Sequence, residues 1–384
     1  MTPIYLDHNA TTPIHPEVVE AMRQALAAGY ANPASQHRPG QLARKTLEDA
    51  RERIAALLGA DLTCPQPDRL VFTASATEAN NLAVLGISLA RGPGPAQVVV
   101  SAIEHPSVLG PAEHLLECGW RLDTLGVTPD GVVRVEMLPP LLSQQTRVVS
   151  VMLANHDTGV CQPVAELAEI CNARGIPLHT DAVQVAGKLP IDFRRLGVAA
   201  LSVGAHKFRG PLGIGALLLR HDVAIKPLMF GGHQQAGLRP GTEAIALAIG
   251  MLTALEVWQR EHVAHARRLA QLRERFEQGL RAKIPGLVVH ADGAPRLPQT
   301  ANIAFPGVDG QVLLIALSTC GVACSAGSAC ASGSVEVSPT LRAMGASGDL
   351  AGRSLRFSLG GTTTDAEIEE AVARIAHVWT EIRC

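Results

Sequence analysis

Several features that would decide the class of this 384-residue chain outright are missing. Formal net charge is only −2, and the basic residues, mostly arginine, form no long block. Bulk attraction to nucleic acid or to an anionic membrane is therefore excluded as an organising feature. No apolar run is long enough to span a bilayer; Ala244 to Leu255 comes nearest and is too short. The start, Met1-Thr2-Pro3-Ile4-Tyr5-Leu6-Asp7, lacks a basic region followed by an apolar stretch, so no export signal is expected. Internal repeats are absent. The 8 cysteines, without such a signal, do not read as a disulfide scaffold. The expectation is a reducing cytoplasm, with cysteines that are buried, reactive or metal-binding. The length exceeds one ordinary core, so two domains are expected.

What is present alternates. Arg69–Thr73, Gln97–Ser101, Arg147–Leu153, Ile176–His179, Val198–Val203 and Gly213–Leu219 read as strands. Glu78–Ala90 and Val164–Arg174 read as helices, the second ended by Gly175. Strands alternating with helices predict an α/β fold with a largely parallel sheet covered on both faces. Ligands in such sheets sit at the carboxyl ends of the strands. Ala244–Lys283 is mostly helical and leads into a smaller part. There, Leu287–His290, Thr300–Phe305 and Ser354–Leu359 suggest a small sheet, with helices at Gln311–Ser318 and Asp365–Glu381. Arg91-Gly92-Pro93-Gly94-Pro95 is a turn.

Two side chains set the chemistry. Lys207 lies in Ala205-His206-Lys207-Phe208-Arg209-Gly210, between two apolar runs, where a solvated surface lysine is out of place. It is placed to form an imine with an aldehyde. Asp181 follows another apolar run in His179-Thr180-Asp181-Ala182-Val183-Gln184. An aspartate to hold a pyridinium nitrogen and a lysine to hold the aldehyde carbon are the pair a pyridoxal phosphate enzyme needs most. Thr73-Ala74-Ser75-Ala76-Thr77-Glu78 joins a strand to a helix. Ser75 three positions before Glu78 reads as a capping box; beside the lysine–aspartate pair, Ala76 and Thr77 also read as a phosphate site at a helix start. His105, in Ile103-Glu104-His105-Pro106, is either a loop histidine or a ring that stacks on a flat cofactor and moves protons. Asn155 falls at the same carboxyl edge, in what is otherwise a polar turn.

Cys330 lies in Cys324-Ser325-Ala326-Gly327-Ser328-Ala329-Cys330-Ala331-Ser332-Gly333-Ser334, a composition that predicts an exposed mobile loop. An exposed thiol is available as a nucleophile once deprotonated. A metal site of Cys320, Cys324 and Cys330 is the competing reading. It has no C-x-x-C pair and no nearby histidine, and Cys320 and Cys324 read as packing around Val322. Arg356 alternates with Leu355 and Phe357; it reads equally as a carboxylate clamp or as a salt-bridge partner.

Taken together, these motifs resemble the cysteine desulfurases of NifS/IscS type, in the class V aminotransferase group. The likeness also runs through Tyr5 to Thr12, Asn32-Pro33-Ala34-Ser35, Asn155 to Gly159 and Gly241-Thr242-Glu243. It implies a fold type I pyridoxal 5'-phosphate transferase and a homodimer. The large domain, residues 16–255, would have a mostly parallel seven-stranded sheet. A small α+β domain would come from 1–15 and 256–384, with the catalytic loop near 322–336. It implies that Lys207 carries the cofactor, Asp181 holds the ring nitrogen, Gln184 bonds the ring hydroxyl and His105 stacks on the ring. Ala76, Thr77 and His206 would bind the phosphate, with Thr242 reaching it from the other subunit. Asn155 and Arg356 would hold the substrate carboxylate. Cys330 would take sulfur from L-cysteine as a persulfide, leaving L-alanine, with His105 accepting the thiol proton. No resident metal is implied, although Cys330 could contact an acceptor's cluster. The sulfur would go to an acceptor such as an iron–sulfur scaffold or to transfer-RNA thiolation, with no nucleic-acid or membrane partner. A selenocysteine lyase or an aminotransferase without persulfide chemistry is the alternative, since it would need Lys207 and Asp181 but not Cys330. Gly204 and Gly361 depart from the pattern: serine is common at the first position and arginine at the second.

Overall fold

The computed structural model describes residues 2–326 and 337–383. Its centre is a seven-stranded sheet. Across it lie Arg69–Thr73, Gly215–Leu219, Ala200–Gly204, Leu178–Asp181, Thr146–Ser150, Gln97–Ser101 and Arg121–Leu125. Gly215–Leu219 is antiparallel to both its neighbours and every other pairing is parallel, so the sheet is mostly parallel as expected. Four of the strands are buried along their whole length, which accounts for near-continuous apolar runs in place of an alternating pattern.

A second, four-stranded sheet is antiparallel, ordered Ser325–Ala326, Ser354–Ser358, Thr300–Ala304 and Val288–Val289. Helices Gly310–Thr319 and Asp365–Arg383 accompany it. Ile4–Tyr5 pairs in parallel with Val322–Ala323. The chain's start therefore belongs with this part, and Ile4 and Leu6 share an apolar cluster with Phe276, Phe305 and Phe357. The helix Ile245–Lys283 serves both parts. Its early residues Met251 and Leu255 pack into the cluster around the large sheet, and Leu269, Leu272 and Leu280 into the other. Among the described residues no helix is long and apolar enough to cross a membrane.

Among the element boundaries that differ from the sequence reading, two bear on the site. The strand expected over Ile176–His179 is Leu178–Asp181, so Asp181 is its last residue rather than lying beyond it. The polar His179 is tolerated there because its two ring nitrogens meet Ser150 Oγ (2.8 Å) and Ser202 Oγ (2.9 Å) on the flanking strands. The helix expected from Glu78 starts at Ala76 and passes through a π turn at Leu82–Gly86 before ending as Ile87–Ala90. Within that turn the Gly86 carbonyl accepts the Lys226 N–H at 3.0 Å, a bond into a neighbouring segment of the kind that inserted residues allow.

Lys207 sits on a single 3₁₀ turn, Ala205–Phe208, at the end of Ala200–Gly204. Its neighbour Phe208 is seated against Gly187, which has φ +70°. A Cβ on Gly187 would come within 2.0 Å of the Phe208 Cβ. Gly187→Ala combines a left-handed backbone penalty with overpacking, and the expected loss is roughly 2–4 kcal/mol. Urea unfolding checks this; an unchanged midpoint would contradict the packing described.

Candidate active site

A cleft of about 250 Å³ opens at the carboxyl ends of the strands. Lys207, Asp181, Gln184, His105, Thr77 and His206 all line it, together with Ala76. These are residues from four separate stretches, and the strand ends bring them together.

The floor is a hydrogen-bonded chain. Asp181 accepts from Asn80 Nδ2 at 2.7 Å and from the Val183 N–H at 2.9 Å. Asn80 Nδ2 also donates to Ser107 Oγ at 2.8 Å. Ser107 Oγ stands 2.7 Å from His105 Nδ1, which also receives the Ser107 N–H at 3.1 Å. Since Nδ1 is an acceptor in this arrangement, a neutral His105 carries its proton on Nε2. In that form the remaining ring nitrogen is a proton donor, and the Cys330 thiol that His105 was expected to serve lies outside the described residues. Asn80 and Ser107 were not singled out from the sequence. The available signal was Asn80 standing one helical turn after Thr77, a position that returns to the same face.

At the opposite side, Lys207 Nζ donates to the carbonyls of Asn9 at 2.6 Å and Ala10 at 2.8 Å. Gln184 Nε2 donates to the same Asn9 carbonyl at 3.0 Å. At the helix start, Ser75 Oγ accepts the Glu78 N–H at 3.2 Å, and Glu78 reaches back to the Ala74 N–H at 2.6 Å. The capping reading therefore holds, and it leaves the first-turn N–H groups of Ala76 and Thr77 without intrahelical acceptors. Gly215 makes the turn possible: a Cβ there would lie 2.6 Å from the Ser75 carbonyl carbon. Burial, and then the Lys207 charge, push His206 down to about 4, so it is neutral at pH 7.

The expected carboxylate pair is placed differently. Arg356 is 3% exposed. Its guanidinium donates to Asp7 at 2.8 Å and to the His156 carbonyl at 3.2 Å, while its buried Nε has no hydrogen-bond partner among the described residues. His156 lines the cleft, so Arg356 stands directly behind the wall. Asn155 does not line the cleft. It is fully buried, its Oδ1 accepts from the Asp157 and Thr158 N–H groups, and its Nδ2 donates to the Ile103 carbonyl at 3.1 Å. With its amide spent on shaping its own loop, Asn155 supports His156 and does not present a free donor. Thr242 is also outside the cleft, in a separate groove beside Gln235 and Arg239. Cys330 lies outside the described residues. Cys324 is partly buried against apolar neighbours near Asp7, and desolvation pushes its thiol up to about 12, which suits packing and not nucleophilic attack.

The lining fits pyridoxal 5'-phosphate. An amine and a buried carboxylate face each other across it, a histidine ring flanks it, and unpaired helix-start N–H groups with a neutral histidine close one end.

The family model for aminotransferase class-V matches residues 4–371. A cysteine desulfurase of Enterobacter agglomerans is 41% identical over 383 residues, covering 100% of this chain and 94% of the relative. An IscS-like cysteine desulfurase of Mycobacterium tuberculosis is 41% identical over 375 residues, covering 96% of this chain and 94% of the relative. Among solved structures, a NifS-like protein superposes with a TM-score of 0.90 at 31% identity, covering 99% of this chain and 100% of that one. The NifS-like protein of Rickettsia africae does so with a TM-score of 0.88 at 31% identity, covering 98% and 99%.

One buried acid beside the cleft gives a stability test. Glu104 accepts from Ser101 Oγ and from the Met152 N–H, its second oxygen has no partner among the described residues, and burial pushes its carboxyl up to about 8. Between its ordinary value and pH 8 the folded protein keeps a proton that the unfolded chain has released, so stability falls as pH rises through this window. Glu104→Gln removes that titration. Its melting temperature should decline less steeply than the wild type's between pH 5 and 8 and should equal or exceed it at pH 8. Parallel profiles would contradict the assignment.

Proposed function

The chain belongs to the class-V aminotransferase family, and on that premise we propose that it converts L-cysteine to L-alanine and holds the released sulfur as a persulfide on Cys330. The fold is that of the fold type I pyridoxal 5'-phosphate transferases. The observation that carries the reading is the meeting of Lys207, Asp181 and His105 in one cleft. When bound there, the cofactor supplies an electron sink for the pair released at the substrate α-carbon.

The residues divide the remaining work. Asp181, fixed by Asn80 and the Val183 N–H, holds a protonated ring nitrogen. Gln184 donates to the ring hydroxyl, and His105 flanks the ring with Nε2–H available as a proton source. Ala76, Thr77 and His206 hold the phosphate. Lys207 Nζ carries the cofactor at rest and moves the α-proton once substrate has displaced it. Arg356, steadied by Asp7 and the His156 carbonyl, is assigned the substrate carboxylate, which it meets only if the wall at His156 moves aside. The Cys330 thiolate forms an S–S bond to the substrate sulfur as the C–S bond breaks. The electron pair returns to carbon, which is protonated and leaves as alanine. The persulfide sulfur then passes to an acceptor, such as an iron–sulfur scaffold protein or the transfer-RNA thiolation machinery. A reducing cytoplasm suits this chemistry.

The two-part division, residues 16–255 against 1–15 with 256–384, belongs to the same reading. It is supported by the apolar cluster that joins Ile4 and Leu6 to Leu269 and Phe357. So does the homodimer, in which Thr242 would serve the partner's phosphate site; its absence from its own chain's cleft supports this.

Mass spectrometry after one turnover with cysteine should find one added sulfur on the peptide holding Cys330. Cys330→Ser should keep the bound cofactor and lose nearly all alanine and sulfide release. Normal turnover by that variant, or sulfur on Cys324, would overturn the persulfide assignment. For the dimer, Lys207→Ala and Thr242→Ala chains, each inactive or nearly so alone, should regain activity when mixed, because one of the two sites in the hybrid is then intact. A fully active monomer would contradict it.

A further inference from the structure

Behind the cleft lies an amine that the mechanism above does not use. Lys188 is 7% exposed. Among the described residues no carboxylate pairs with it, and its Nζ donates to Gln184 Oε1 at 3.2 Å. Burial, and then the charges of Lys207 and Arg356, push it down to about 7. The buried His8, itself held down to about 4 by burial and then by Lys188, adds no counter-charge. Glu261, Arg209 and His265 line the same small cavity beside the helix Ile245–Lys283 and form no ion pair with it among the described residues. A methionine of similar length would occupy such a place at lower desolvation cost. The amine is therefore a liability for folding unless it serves another group.

That group is the Gln184 amide. Its Oε1 is taken by Lys188 and its Nε2 donates to the Asn9 carbonyl, which also accepts from Lys207 Nζ. Rotating the amide by half a turn would set its NH₂ against the Lys188 donor and its oxygen against the Asn9 carbonyl. The contact with the Asn9 carbonyl would be repulsive, and so would that with Lys188 while its amine holds its proton. One orientation is enforced, and in it the second N–H of Nε2 is left for the cleft that Gln184 lines.

We propose that Lys188 is a positioning residue, which locks the Gln184 amide so that an N–H faces the ring oxygen of the cofactor. The proposal rests on the reading that the cleft holds pyridoxal 5'-phosphate on Lys207. Lys188→Met leaves Gln184 Oε1 buried without a donor, frees the amide to turn and weakens the donor to that oxygen. The oxygen then becomes more basic.

The test uses the holoprotein loaded with pyridoxal 5'-phosphate. In Lys188→Met the midpoint of the chromophore's absorbance titration should rise by about one pH unit, while the melting temperature stays at or above that of the wild type. Gln184→Ala should show a similar rise, and adding Lys188→Met to it should produce little more, because the two residues act in series. An unmoved midpoint in Lys188→Met overturns the proposal. So does an equal further rise in the Gln184→Ala background, which would make Lys188 a remote charge. An unfolded Lys188→Met protein would make it a structural group and end the proposal as well. A wild-type protein with no chromophore on Lys207 would instead remove the underlying reading.

Discussion

The contact between Lys207 Nζ and the Asn9 carbonyl ties the molecule together. The lysine stands at the end of a central strand of the large sheet. Asn9 belongs to the chain's first residues, whose strand Ile4–Tyr5 pairs with Val322–Ala323. Its backbone N–H donates to Ser358 Oγ at 2.8 Å and its Nδ2 to Thr300 Oγ1 at 2.9 Å, both on the smaller sheet. A single residue thus links the amine to both sheets. Hydrogen bonds among buried groups of this kind are costly to leave unmade, so the position of the amine is set by the whole assembly and not by its own turn alone.

Burial governs charge around that contact. His206 is neutral at pH 7, and burial together with the nearby His105, Arg356 and Lys207 keeps His156 well below the usual histidine range. Glu104 retains its proton to about pH 8. The groups flanking the cleft therefore bring hydrogen-bonding capacity without adding fixed charge, which leaves the lysine and the arginine as the cations that a phosphate and a carboxylate would meet. A phosphate at His206 would draw that ring back toward its protonated form, since an opposite charge favours the charged state.

Much of the site was legible in the sequence because its residues stand at the ends of apolar runs. Lys207, Asp181, Thr77 and His105 could be placed on one sheet edge from local pattern, Gln184 and His206 only through the family resemblance, and the parallel strands bring them together. The smaller sheet was legible for the same reason. What was not legible depends on contacts distant in sequence. The strand end at Asp181 was missed because Thr180 and Asp181 are polar, and only the packed structure shows both of them buried. Asn80 and Ser107 were not singled out because only the fold brings them together, 27 positions apart. Asn155 could be read as a ligand-facing amide because no local pattern reveals that its oxygen is already spent on its own loop. Lys188 is the reverse case: spacing alone would leave it a surface charge, and only the packed structure shows it held against Gln184.

The central claim is that this cleft carries an aldehyde cofactor on one lysine. Borohydride reduction of the purified protein, followed by peptide mapping, tests it most directly. The account predicts a single pyridoxyl group on the peptide containing Lys207, and none on Lys188 although its amine is nearby. A pyridoxyl group on any other lysine, or no labelled peptide at all from protein supplied with pyridoxal 5'-phosphate, would contradict it.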